Sequence, residues 1–145
     1  MKPNIFGLFL LLAVVCLSGC NDFEKFPLAP VQGIVLCEDK PVPFVQVYFH
    51  PMRTEGTSVI VGKPGVAITD ENGAFSISTY KPGDGAVIAK HEIRIGTSVS
   101  TQPDCPADLS NGKALETVEV VKGKNNFTFT LPKRDPRKRL NLQED

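Results

Sequence analysis

The chain has no tryptophan and only two tyrosines, Tyr48 and Tyr80, so a stacking platform for sugars has little to be built from. Histidine is as scarce, with His50 and His91 alone, and no Gly-x-Ser-x-Gly setting surrounds any serine. Charge of one sign is not in excess: Lys plus Arg is 16 and Asp plus Glu is 16. No global field therefore draws the protein towards nucleic acid or an acidic substrate. Nor is there room for a long helix after the first twenty residues, because twelve Gly and twelve Pro in 145 residues place a turn signal every few positions. That density suits one domain of many short strands.

What is present begins with a leader. Residues 1–19 open with Lys2, run through the apolar block Ile5 to Leu17 and close on Leu17-Ser18-Gly19 before Cys20. The block is too short to span a bilayer as a mature helix but has the length of a secretory signal. A signal peptide is expected over 1–19, followed by a short tether over 20–30 that contains two prolines and mixed charge. The Leu-Ser-Gly-Cys ending resembles the lipobox of bacterial lipoproteins, in which the Cys is lipidated and becomes the first mature residue. That resemblance implies lipidation of Cys20 and a membrane partner held through the lipid anchor. Several acyl chains on one residue supply far more buried CH₂ than one marginal chain, at about 0.8 kcal/mol per group. By resemblance to bacterial sorting rules, Asn21 after the Cys favours the outer membrane over the inner.

With Cys16 in the leader and Cys20 in the lipobox, Cys37 and Cys105 remain. In an oxidising compartment a Cys37–Cys105 disulfide is expected, worth roughly 4 kcal/mol on the chain-entropy estimate. Two buried free thiols, or a metal pair, are the competing readings. Metal is disfavoured because neither Cys has a second Cys or a His at ligand spacing.

The rest is a run of alternating segments. Gly65 to Tyr80, GVAITDENGAFSISTY, shows a period of two on both sides of Asp70-Glu71-Asn72-Gly73, which predicts a β-hairpin. Val31 to Cys37 places Val31, Gly33 and Val35 on one face, where Gly33 signals a bulge or a close backbone approach. Phe44 to His50 alternates Val45, Val47 and Phe49 with Phe44, Gln46 and Tyr48, and Pro51 ends it. Lys90 to Thr97 turns Ile93 and Ile95 inward, Leu115 to Lys122 does so with Val118 and Val120, and Asn126 to Leu131 with Phe127, Phe129 and Leu131. Residues 53–64 and 98–114 read as loops, the first with a short edge strand at Val59-Ile60-Val61. The expectation is an all-β, seven-stranded antiparallel β-sandwich over 31–132, with a charged C-terminal tail over 133–145.

Several blocks together carry a family resemblance: lipobox Cys20; Val31-Gln-Gly33 with Val35; Lys40-Pro-Val-Pro43, then Val45, Val47, Phe49 and Pro51; Ala67, Thr69-Asp70, Asn72-Gly73 and Phe75; Tyr80 with Gly83-Asp-Gly85-Ala86; His91; and Gly123, Asn126, Phe127 and Phe129. The pattern resembles the small transthyretin-like lipoproteins, related to carboxypeptidase regulatory-like domains, of planctomycete bacteria. The resemblance implies a prealbumin-like sandwich in the cell envelope and no catalytic residues. The chain departs from that pattern in the Cys37/Cys105 pair and in Phe44, where a turn Gly is more usual. It also lacks the Tyr-Arg-Gly-Ser end of the related hydrolases of oxidised purines, since it closes on Asn141-Leu-Gln-Glu-Asp145.

The remaining candidates have ordinary readings beside the functional ones. His50 and His91 sit at strand ends, where packing or exposure competes with metal or acid–base roles. Asp70 to Gly73 could be half of a calcium loop, but the spaced third acid and closing Glu are missing. Lys133, Arg134, Arg137, Lys138 and Arg139 form a solvated tail, or one that touches anionic lipid or polymer. The reading is a non-enzymatic, cofactor-free envelope lipoprotein that binds or packs through the loops 53–64, 80–86 and 98–114, with an envelope protein or polymer as partner. A transthyretin-like hydrolase and a carbohydrate- or peptide-binding module are the alternatives.

Overall fold

A computed structural model describes residues 25–53, 61–97 and 113–132. The signal peptide, Cys20, Cys105, Val59-Ile60 and the charged tail lie outside the described residues. Ten strands follow one another: β1 (Leu28–Ala29), β2 (Val31–Cys37), β3 (Lys40–Pro41), β4 (Val45–Pro51), β5 (Gly65–Ile68), β6 (Ala74–Ser76), β7 (Ala86–Val87), β8 (Lys90–Thr97), β9 (Glu116–Glu119) and β10 (Asn125–Thr130). The described residues contain no helix.

Two four-stranded sheets face each other. In one, β2 pairs with β10 along one edge and with β3 and β6 along the other; in the second the order is β5-β4-β8-β9. A two-stranded ladder of β1 and β7 closes one end of the stack. The alternation read from the sequence decides what fills the gap between the sheets. Val45, Val47 and Phe49 of β4 are fully buried, as are Val35 of β2, Ile93 of β8 and Phe129 of β10. Phe49 reaches across, with its ring centroid 6.3 Å from Phe75, 5.8 Å from Phe127 and 5.9 Å from Phe129. These tilted rings of both layers make a β-sandwich with an aromatic centre.

Three expectations are corrected. The sandwich is not wholly antiparallel, because β10 runs parallel to β2 from Asn125↔Val31 to Thr130↔Leu36. The chain must cross between sheets to bring its first long strand beside its last, and nothing local in either strand encodes that pairing. Among the described residues ten strands stand where seven were expected for the domain, the additions including the two-residue strands β1, β3 and β7. And Gly65 to Tyr80 is not one hairpin ladder: β5 pairs with β4, whereas β6 pairs with β2 in the other sheet.

The turn itself is as read. Gly73, at φ +72°, donates to the Asp70 carbonyl, and Asp70 Oδ1 accepts from the amides of Asn72 and Ala74 at 2.8 and 2.9 Å. Beyond it the strands part, and they meet again only at the Val66–Ser78 bridge. The segment is thus a corner joining the two layers. Its buried hydroxyl, Thr69 Oγ1, accepts from the Val45 amide at 2.9 Å and donates to the Val42 carbonyl at 2.8 Å. These bonds hold the turn in which Phe44, 40% exposed, sits at φ +56°. That left-handed backbone is one that glycine takes without strain and a residue with a Cβ does not.

The stretch expected as tether is in part structured. Ala29 is buried, the Ile88 amide donates to the Pro27 carbonyl at 3.0 Å, and the Phe26 amide donates to the Tyr80 hydroxyl at 3.2 Å.

Gly33 is the close approach read from the sequence. A Cβ there would strike the Phe127 carbonyl of the parallel neighbour and lie 2.7 Å from Phe75 Cζ. Gly33→Ala is expected to lower unfolding stability by about 2 kcal/mol through overpacking, read from urea denaturation midpoints; an unchanged midpoint contradicts the close approach. Phe44→Gly is expected to raise stability by about 0.5–1 kcal/mol by relieving the left-handed strain, and a lowered melting temperature would show that the side chain outweighs it.

Candidate functional site

Side-chain alternation puts the two imidazoles on opposite faces of the β5-β4-β8-β9 sheet. Pro51 is opposite His91 and His50 is opposite Glu92, so His91 falls in the row of Ile93 and Ile95, and His50 in the row of Tyr48. His91 has no solvent exposure. Its Nε2 lies 2.7 Å from the Val87 carbonyl, which makes Nε2 the protonated nitrogen of the neutral ring. Nδ1 is buried without a hydrogen-bond partner. The ring packs edge-on against Phe49 at 5.6 Å. Burial holds its pKa below the ordinary value of 6.5; the Val87 and Phe49 carbonyls pull the other way, and His50 adds to the lowering. This is a core histidine that pins β7 to β8.

His50 belongs to the outer face. It stacks on Tyr48 with centroids 5.8 Å apart and 20° between planes, and the Tyr48 hydroxyl donates to Gln46 Oε1. The next strand aligns Arg94 with Tyr48 and Glu92 with His50. Arg94 grips Glu92 through both Nη2 and Nε, each 2.6 Å from Glu92 Oε1. Partial burial and then the Arg94 charge lower the His50 pKa, while Glu92 opposes them. The face can offer a neutral imidazole, a phenol and a guanidinium already held by a carboxylate. At the end of the same face Ile68 is 56% exposed and pairs in register with Gln46. The two histidines do not converge.

The loop between Tyr80 and Ala86 is rigidly made. Asp84 accepts from the amides of Thr79 at 2.7 Å, Tyr80 at 3.0 Å and Lys81 at 2.7 Å, while Ser78 Oγ accepts from the Gly83 amide at 2.8 Å. Burial alone would raise the Asp84 carboxyl, but the amides of Thr79, Lys81 and Tyr80 hold it below its ordinary 3.8. With its oxygens so engaged, Asp84 shapes the loop and is not poised for acid–base work. Asn125 plays the same part on the other side. Buried, it donates through Nδ2 to the carbonyls of Val121, Gly123 and Pro30 and accepts from the Val121 amide. Sequence reasoning named its neighbour Asn126, which is exposed; a polar residue in the inward row of β10 was the signal for Asn125.

Among the described residues no group of three or more His, Cys, Asp or Glu could hold a metal ion. Cys37 is buried at the end of β2, and its expected partner Cys105 lies outside the described residues, as does most of each of the loops 53–64 and 98–114.

The lowered His91 pKa sets a pH dependence. The unfolded chain takes up a proton near pH 6.5 that the folded chain refuses, so the stability from neutral His91 is complete above that pH and is lost as pH falls below it towards the folded value. The melting temperature is expected to fall between about pH 7.5 and about pH 5, and to fall less in His91→Gln, while His50→Gln gives the smaller share of a half-buried imidazole whose pKa is also lowered. A wild-type profile flat across that window would contradict the burial.

No family model matches the sequence, and no curated protein matches it. Several solved structures are similar to it. A DUF3823 family protein from Parabacteroides merdae ATCC 43184 is 17% identical with a TM-score of 0.43, over 75% of this chain and 48% of that one, so this chain spans about half its length. A 9R-lipoxygenase from Cyanothece PCC8801 is 20% identical with a TM-score of 0.41, over 93% of this chain and 22% of that one. The major plantain pollen allergen Pla l 1 is 15% identical with a TM-score of 0.39, over 76% and 98%.

Proposed function

We propose that the chain is an exported lipoprotein of the cell envelope, acylated at Cys20, in which a transthyretin-like sandwich serves as a non-catalytic binding or structural module. The observation that carries this is the sequence Leu17-Ser-Gly-Cys20 standing six residues ahead of Phe26, where docking onto the domain begins. So short a leash suits a domain held against a surface. Outer-membrane placement follows the Asn21 reading.

The Cys37–Cys105 disulfide belongs to the same proposal. Cys37 ends β2, the strand that carries β3, β6 and β10, so a covalent link there would brace the centre of one layer. The loops and the outer face of β4 and β8 are the surfaces for an envelope protein or polymer, and recovery of one stoichiometric partner from native envelopes would identify it.

One observation favours the hydrolase as a second reading: the Arg94 charge acts on His50 from two register positions along the neighbouring strand. Arg94 is itself bound to Glu92, with its side chain 45% exposed. Among the described residues that arginine is engaged and partly solvated, which ranks this reading below the first.

Mass spectrometry of the protein extracted from membranes tests the proposal. The N-terminal peptide is expected to begin at Cys20 with acyl chains attached, and Cys37 and Cys105 to be recovered as one linked pair before reduction. An N-terminus free of fatty acid removes the anchor, and two alkylatable thiols remove the disulfide.

A further inference from the structure

Among the described residues the two ends of the sandwich carry opposite charge. One end gathers the β1–β7 ladder, the start of β8, the exit of β4 and the turn between β9 and β10, as fixed by the bonds from Met52 to Lys90, Ile88 to Pro27 and Asn125 to Pro30. Lys25, Lys63 and Lys81 are exposed there around the N-terminal entry. Lys122 and Lys124 crown the β9–β10 turn, and Arg53 and Lys90 complete the end. Among the described residues its carboxylates are Asp84, whose oxygens accept three amides, and Glu119, which stands opposite Lys90. The far end has the reverse sign: Glu38, Asp39, Asp70 and Glu71 are all exposed on its two turns, with Lys40 beside them.

The basic end also exposes apolar side chains where solvation gains nothing. Val121 is 51% exposed next to Lys122, and Met52 is 37% exposed next to Arg53. Cations interleaved with apolar tips match an anionic lipid surface, whose headgroups take the charge while the boundary below takes the tips. We infer that this end of the domain rests on the anionic headgroups of the membrane. The inference rests on the lipid-anchored reading for its geometry: five residues from Cys20 to Lys25 span at most about 18 Å, so the basic end cannot swing far from the bilayer. The charged tail is a separate source of basic charge: it leaves the described chain after Pro132, next to Leu131, whose amide donates to the Leu36 carbonyl at the far end, a strand length or roughly 20 Å away, and deleting it separates its share from that of the basic end. Each lysine near such a surface contributes roughly a fivefold preference.

The test reconstitutes the membrane-extracted protein into vesicles of phosphatidylcholine, with or without a third of phosphatidylglycerol, and reads amide hydrogen exchange at residues 121–124 and 61–63. Exchange there is expected to slow by about tenfold on the anionic vesicles alone, to recover in high salt, and to recover in K122E/K124E while deletion of residues 133–145 changes nothing. Should K122E/K124E lose the native melting transition, K63E/K81E takes its place. Equal exchange on both vesicles, protection that survives charge reversal, or protection lost only with the tail overturns the inference. If Cys20 proves to carry no acyl chain, cosedimentation of the same protein with anionic but not neutral vesicles still supports the headgroup contact, and its absence still overturns it, so the two failures are separable.

Discussion

One side chain spans the gap on which the two layers depend. Phe49, in the middle of β4, meets Phe75, Phe127 and Phe129 of the opposite sheet and His91 of its own. Phe129 in turn stacks on Phe75 and on Phe127 at 5.7 and 5.9 Å with nearly parallel planes. A sandwich is stable only if its inner faces interdigitate, and aromatic rings bury the most area per residue in doing so. Gly33 completes the fit by leaving the space that Phe75 fills.

From that centre the structure grows more polar towards both ends, and the polar groups shape backbone. Thr69 locks one corner, Asp84 one loop and Asn125 one turn, each by bonding main-chain groups. A carboxylate or amide used in this way is satisfied locally and has little left for a substrate. Such locks leave the ends stiff enough for a fixed pattern of charge. The basic end is therefore a surface of set shape, carried by the same turns that Asn125 and Asp84 hold.

Much of the strand pattern was legible. β2 and β8 have the limits read from alternation, and Gly33 is the close approach it signalled, whereas the left-handed backbone at Phe44 was not read from the sequence. These are local properties, set within a few residues. The hairpin reading failed for the same reason: Asp70 to Gly73 makes its turn, but a turn does not specify whether its arms stay paired or pass to different sheets. The candidate site was less legible still. His91 and His50 look alike in sequence, near the ends of strands, and only the register of β8 against β4 makes one a buried clamp and the other a surface ring.

What the sequence alone determined is the set of extended segments and the side of each that turns inward, because a period of two is written in neighbouring residues. The tertiary structure decided which strands lie together: β2 beside β10 in parallel, β5 and β6 in separate layers, and Lys25, Lys63, Lys81, Lys90, Lys122 and Lys124 at one end. Those outcomes rest on contacts between residues far apart in the chain, whose energies exist only once the two layers have closed on Phe49.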